Sequence, residues 1–177
     1  MMELSIMDRL RMPFPVNQVS LRIGSTNKKK RVYETKDQNA KATKGLPLTY
    51  IDARDVETRL DSVFDVGGWQ DKYFETAKGR VICELSCLID GSWITKSDGA
   101  GDTGTEGEKG AISDAFKRAA VKFGIGRYLY AIKLNWVDLD QYGKFDNPPL
   151  PAFATPEGYT QILIKRKEKE NGQTNNS

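Results

Sequence analysis

The chain contains no histidine, and only two cysteines among its 177 residues. Without imidazole it has no Ser-His-Asp or Cys-His triad, no histidine-ligated metal site and no imidazole acid–base step, which removes much hydrolytic chemistry. Cys83 and Cys87 stand four residues apart in an apolar run, so in an extended segment they share one face. With no His and no further Cys they complete no zinc site, and they read as small core residues in a reducing cytosol. No run of 18 apolar residues and no charged-then-apolar leader is present, so nothing argues for a membrane or for export.

What is present in quantity is charge: 27 Lys+Arg and 24 Asp+Glu, 29% of the chain, for a net +3. The small total hides an uneven spread. Residues 1–50 carry 10 basic and 4 acidic side chains (net +6), residues 51–110 carry 7 and 13 (net −6), and residues 111–177 carry 10 and 7 (net +3). Two basic blocks flanking an acidic middle are what a polyanion-binding surface built from separate segments leaves in a sequence, and a solvated charged surface leaves the same pattern.

Length and composition fit one domain over residues 1–164, with its core at about 10–137, and a disordered polar tail or frayed helix end over 165–177, where KRKEKENGQTNNS has little to bury. Residues 3–12 read as a short helix stopped by Pro13 and Pro15, and Val19 to Ile23 alternates like a strand. Arg31 to Thr35 is the expected partner of that strand, across a polar loop carrying Lys28, Lys29, Lys30 and Arg31. Four adjacent cations belong in water or against phosphate. Val56, Leu60, Val63 and Phe64 give a helical stripe over 52–66, with Thr49 or Asp52 as N-cap and Gly67-Gly68 as terminator. Strands follow at 69–76, 80–89 and 92–96, joined by turns at Lys78-Gly79 and Asp90-Gly91, with Val81, Cys83, Leu85, Cys87 and Ile89 on one face.

After a glycine-rich connector over 99–110 comes the strongest helix. Thr105 and Glu108 form a capping-box pattern, Ile112, Ala115, Phe116, Ala119, Ala120 and Phe123 make one apolar face, and Gly124 and Gly126 close it. The opposite arc carries Asp114, Lys117, Arg118 and Lys122. These cations either reach successive phosphates of one strand or pair with Asp114 as a soluble surface. Arg127 to Val137, rich in aromatics, is expected to return as strand or extended chain. Pro148, Pro149 and Pro151 then interrupt regular structure.

Two enzymatic or nucleotide-binding patterns need testing. Gly99-Ala-Gly101-Asp-Thr-Gly104 matches G-x-G-x-x-G literally, but the last glycine opens no helix of a parallel βαβ unit and the strands before it form a meander. Glu34-x-Lys36 has the (D/E)-x-K form of a Mg²⁺ nuclease, yet no acidic residue stands a strand's length upstream to complete the pair. Trp69, Tyr73, Trp93, Tyr128 and Tyr130 are aromatic candidates for base stacking, but core or subunit-interface roles suit most of them better.

Two long motifs carry a resemblance. Tyr50 to Phe64 (YIDARDVETRLDSVF), leading to Gly68-Trp69, and Lys109 to Tyr130 (KGAISDAFKRAAVKFGIGRYLY) resemble signatures of the Rad fifty-two/Rad twenty-two family of single-strand annealing proteins. Pro13-Phe14-Pro15 followed by Val19 to Arg22 resembles the start of its phage and bacterial members. The matches stand in the family's order over about Leu10 to Tyr130.

The resemblance implies an α+β fold with a β-β-β-α annealing core, an antiparallel meander packed on a long helix. It also implies a ring or spiral homo-oligomer that binds single-stranded DNA in a basic groove and pairs complementary strands without ATP, cofactor or bond-breaking chemistry. The family's DNA-contacting Lys-Arg pair matches Lys117 and Arg118, and a lysine before the helix matches Lys109. The family's arginine in the earlier helix aligns with Asp55, beside Arg54, and a later cation aligns with Val121, beside Lys122. Arg127 and the Lys28, Lys29, Lys30, Arg31 cluster complete the candidate DNA contacts. Expected partners are single-stranded DNA, further copies of the chain, a partner exonuclease and a single-strand binding protein. The expected location is the cytoplasm, that of the bacterial host for a phage protein. The expected role is homologous recombination and double-strand break repair. A Mg²⁺-dependent nuclease and a single-strand coat that does not anneal are the rival readings.

Overall fold

A computed structural model of the chain describes residues 3–101 and 107–174, without the side chains of 107–109 and 171–174. The elements are α1 (Ile6–Arg11), β1 (Ser20–Thr26), α2 (Lys28–Thr35), β2 (Lys44–Tyr50), α3 (Ala53–Phe64), β3 (Trp69–Glu75), β4 (Val81–Ile89), β5 (Ser92–Ala100), α4 (Gly107–Phe123), β6 (Val137–Asp138) and α5 (Pro156–Thr174). The fold is α+β with two antiparallel sheets, one ordered β1-β2-β6 and the other β3-β4-β5. No helix among the described residues is long and apolar enough to cross a membrane.

The β3-β4-β5 meander is the one read from the sequence, with Trp69 opposite Cys87 and Cys87 opposite Ile94. Because side chains alternate, Cys83, Leu85 and Cys87 all point to one face, and all three are fully buried. Against that face α4 lays Ala115, Phe116, Ala119, Ala120 and Phe123, all within the core. The three alanines let the helix come close to the sheet, while each large side chain, such as Phe123, contributes roughly 2–3 kcal/mol by leaving water. Burial pushes the Cys83 thiol up to about 11 and the Cys87 thiol up to about 12, so both are inert neutral core groups.

α3 packs Val56 and Leu60 into the same cluster, and its first turn is closed by the Asp52 N–H donating to Asp55 Oδ2 at 3.0 Å. Arg59 reaches back from α3 to α1. Its guanidinium donates to the Arg9 and Met12 carbonyls at 3.0 and 2.5 Å and lies 4.3 Å over the Phe14 ring. It therefore satisfies carbonyls at the end of α1 that have no partner within that helix.

Five expectations are corrected. Lys28 to Thr35 is not a loop and strand but helix α2, where Lys30 and Glu34 pair at 3.7 Å one turn apart and Lys36 ends the helix at φ 59. The partner of β1 is β2, which Gly45 and Pro47 conceal, since both residues weaken a strand pattern. β5 extends to Ala100, so Gly99 belongs to a strand and not to the connector. A Cβ on Gly99 would lie 2.4 Å from Ile82 Cδ1, and the absent side chain leaves room for Ile82 to cross it. Further on, Arg127–Ala131 is a 3-10 segment, and of the expected stretch from Arg127 to Val137 only Val137, the first residue of β6, is strand. The stretch from Lys165 to Thr174 is helix, continuing α5 with an Arg166–Glu170 pair at 3.0 Å. The Thr105–Glu108 capping pattern falls outside the described side chains.

Candidate nucleic-acid interface

The exposed arc of α4 faces β2 across a groove of about 420 Å³. Helix periodicity puts Asp114, Lys117, Arg118 and Val121 on one wall. The other wall is the second half of β2, from Pro47 to Tyr50, with Ile51 just beyond it, and the far end is closed by the turn through Leu129 and Tyr130. That turn depends on Gly126, whose φ of 66 lies in the left-handed region, and a Cβ there would stand 3.0 Å from Ile51 Cδ1. The groove is thus largely apolar, with its charge concentrated where Lys117 and Arg118 enter.

Each of those cations is already held by a carboxylate. Lys117 Nζ lies 3.1 Å from Asp114 Oδ1. Arg118 donates Nε and Nη2 to Asp98 Oδ1, each at 3.2 Å, and Lys122 Nζ stands 3.6 Å from Asp98 Oδ2 and 2.5 Å from the Ser97 carbonyl. Asp98 sits on β5, so the strand and the helix are joined through it. Burial opposes the charged form of Asp98, but the Gly99 N–H, the Arg118 guanidinium and Lys122 outweigh it and hold the carboxyl below the usual carboxylate range. The two readings of this helix face are therefore not exclusive: the cations are paired at the surface, and they line a groove.

The remaining candidates separate. Arg127 donates to the Val121 carbonyl at 2.9 and 2.7 Å and to the Lys122 carbonyl at 2.8 Å, so its guanidinium caps the C-terminus of α4 while edging a second, shallower hollow beside Arg118 and Lys122. Lys96 joins it, donating to the Lys122 carbonyl at 2.9 Å. Arg54 is exposed on α3 and does not line the groove. Lys109 lies in the first turn of α4, with its side chain outside the described part. Lys28, Lys29, Lys30 and Arg31 ride on α2 at the opposite end of β1 and β2 from Tyr50.

Sequence reading missed Arg22. It is exposed on β1, and its guanidinium lies 5.9 Å from the Tyr50 ring that lines the groove. The signal was present, since the alternation that marks β1 as a strand also sets Arg22 between two apolar neighbours. What it faces, however, depends on the unrecognised β2. Of the aromatics, Tyr128 is held by the Phe14 N–H at 3.0 Å and Trp69 donates to Asp61 at 2.7 Å, both as core-edge residues. Tyr130 is 74% exposed at the groove's rim. Trp93 lies on the outer face of the meander.

Among the described residues no three His, Cys, Asp or Glu side chains gather to hold a metal ion, and Glu34 is engaged with Lys30. The arrangement offers positively charged donors beside an apolar trough, which suits a polyanion with flat, partly apolar units. The sequence comparisons agree with that chemistry. A family model described as the Rad52/22 family double-strand break repair protein matches residues 3–145. This chain belongs to the Rad52/22 family. The match runs from α1 through β6 and leaves α5 beyond it. Two curated relatives of this Rad52/22 chain are named single-stranded DNA-binding protein DdrA. The one from Deinococcus radiodurans is 35% identical over 156 residues, covering 86% of this chain and 68% of its own length. The one from Deinococcus deserti is 36% identical over 164 residues, covering 86% and 71%.

Proposed function

We propose that this Rad52/22 chain binds single-stranded DNA along the groove between α4 and β2 and anneals complementary strands without ATP and without breaking bonds. The observation that carries the reading is the placement of Lys117 and Arg118 on one wall of an apolar groove, in a chain whose relatives are named for single-strand binding. Annealing needs a strand held by its phosphates with its base edges left open, because deep aromatic pockets for the bases would block pairing. Cations fixed on a rigid helix hold phosphates in this way, with Arg118 able to bind bidentately and Lys117 acting as a point charge. Arg22, beside Tyr50, supplies charge from the facing wall. Lys109, at the start of the same helix, extends the track.

Assembly into a ring or spiral of identical subunits would string many such grooves along one strand, so that weak contacts add by multivalency. The chain then acts at DNA ends opened by an exonuclease, alongside a single-strand binding protein, in recombination and double-strand break repair in the cytoplasm.

The test uses labelled complementary oligonucleotides in EDTA with no nucleotide added. The expected result is faster pairing than the spontaneous rate, with both strands intact after Mg²⁺ is supplied. Binding without faster pairing makes the chain a coat, and cleavage on adding Mg²⁺ makes it a nuclease. Either result overturns the proposal.

A further inference from the structure

The strongest uncompensated charge lies away from the groove. Residues 27–44 carry seven cations (Lys28, Lys29, Lys30, Arg31, Lys36, Lys41, Lys44) against two carboxylates (Glu34, Asp37), a local net of +5. They form the tip of the β1-β2 hairpin, where α2 has no buried residue and none of the tip's side chains enters the core cluster. Core packing therefore gives no reason for this helix or for its lysines. Two of the cations have carboxylate partners, Lys30 with Glu34 at 3.7 Å and Lys44 with Asp138 at 3.5 Å. Lys28, Lys29 and Lys41 have no ion-pair partner among the described residues. On α4, by contrast, Lys117, Arg118 and Lys122 all do.

Aromatic rings stand among these free charges. Tyr33 is 75% exposed on α2, with Lys36 Nζ 4.6 Å from its ring centre. Tyr142 is 78% exposed and, with Lys28, Lys41, Asn39 and one carboxylate, Asp140, lines a hollow of about 360 Å³ between the start of α2 and the turn after β6. Exposed rings interleaved with unpaired lysines are the combination that holds a single strand, rings for the bases and cations for the phosphates. A duplex keeps its bases stacked and leaves such rings unused.

We propose that this hairpin tip is a second single-strand contact, which captures the strand outside the groove. It rests on the groove reading for its role in annealing. Tyr50 and Lys44 are six residues apart on β2. That separation is about 20 Å at roughly 3.3 Å per residue, which a stacked strand covers in about six nucleotides at 3.4 Å each. One strand therefore reaches from tip to groove, and the tip, where carboxylates pair only Lys30 and Lys44 of the seven cations, meets it first.

The test compares the full chain with a Lys28→Ala, Lys29→Ala, Lys41→Ala variant, using oligo-dT of four and of fifteen residues and a fifteen-pair duplex. All three side chains are exposed, and circular dichroism checks that the fold is kept. The expected result is unchanged binding of the four-mer, about fivefold weaker binding of the fifteen-mer, and a log–log salt slope smaller by about two, at roughly 0.7 per phosphate contact. Tyr33→Ala weakens the fifteen-mer further. If the variant binds the fifteen-mer with the parent's affinity and salt slope, the tip is not a contact, while the groove reading stands. If it loses only duplex binding, the single-strand assignment is overturned. If the parent chain binds no oligonucleotide at all, the groove reading fails first.

Discussion

Replacing Lys117 and Arg118 together with alanine is expected to weaken single-strand binding roughly a hundredfold, as two charge-assisted phosphate contacts worth about 1.5 kcal/mol each are lost. Two features make this change severe. Both side chains stand on the same wall of the groove, so a strand cannot slide past one loss to use the other. Their removal also leaves Asp114 without its partner and Asp98 with Lys122 alone, turning a patch of three cations and two carboxylates, net +1, into one of net −1 that repels phosphate. Folding should change little. The lost pairs are surface ion pairs, for which about 0–1 kcal/mol is the usual worth, and alanine favours helix. Fluorescence anisotropy across a salt series should show a slope smaller by about 1.4, at roughly 0.7 per contact. Thermal melts of the two proteins should nearly coincide. An unchanged slope would move the strand to another surface.

Asp98→Asn is expected to act in the opposite direction, tightening single-strand binding about tenfold, the size of one charge-assisted hydrogen bond of about 1.4 kcal/mol. Asp98 accepts both Arg118 nitrogens and lies within reach of Lys122, so a phosphate entering there must displace the carboxylate. Asparagine keeps an acceptor for the Gly99 N–H, which donates to Asp98 at 2.8 Å, but lacks the charge that competes with DNA. The pH dependence follows from the sign of the shift. Because the native carboxyl is held low, its contribution to stability is complete above the unfolded value of about 3.9 and is lost only as pH falls through the lower native value. With no histidine in the chain, parent and variant should differ by a constant factor between about pH 6 and pH 8. Their affinities should converge only at a pH below the usual carboxylate range, where the depressed parent carboxyl protonates. Binding unaffected by Asp98→Asn would mean that the strand leaves the Arg118–Asp98 pair closed.

The parts of this molecule legible in the sequence are those in which one periodicity acts alone. β4 alternates cleanly through Cys83, Leu85 and Cys87, and α4 repeats its alanines and phenylalanines at helical spacing, so the meander and the helix on it could be read directly. β2 could not, because Gly45 and Pro47 contradict a strand unless its neighbours in space are known. α2 was hidden by its charge, since Lys28 to Arg31 shows no apolar stripe and none of the helix's residues is fully buried. Among the site residues, Lys117 and Arg118 were visible because helix geometry and the family motif both select them. Asp98 was not, for it reaches Arg118 across 20 residues of sequence, a contact that only the packing of β5 on α4 creates. Arg22 was lost with β2, the strand that carries Tyr50.

The central claim is that the strand lies between α4 and β2, and photocrosslinking locates it most directly. A thymidine-analogue oligonucleotide is irradiated on the intact protein and the adducts are read by peptide mass spectrometry. The account expects adducts on both walls, at Pro47 to Ile51 with Tyr50 foremost and at Leu129 to Tyr130, and their loss in the Lys117→Ala, Arg118→Ala variant. Adducts confined to the outer face of the meander, at Phe74, Leu88 and Trp93, would contradict it.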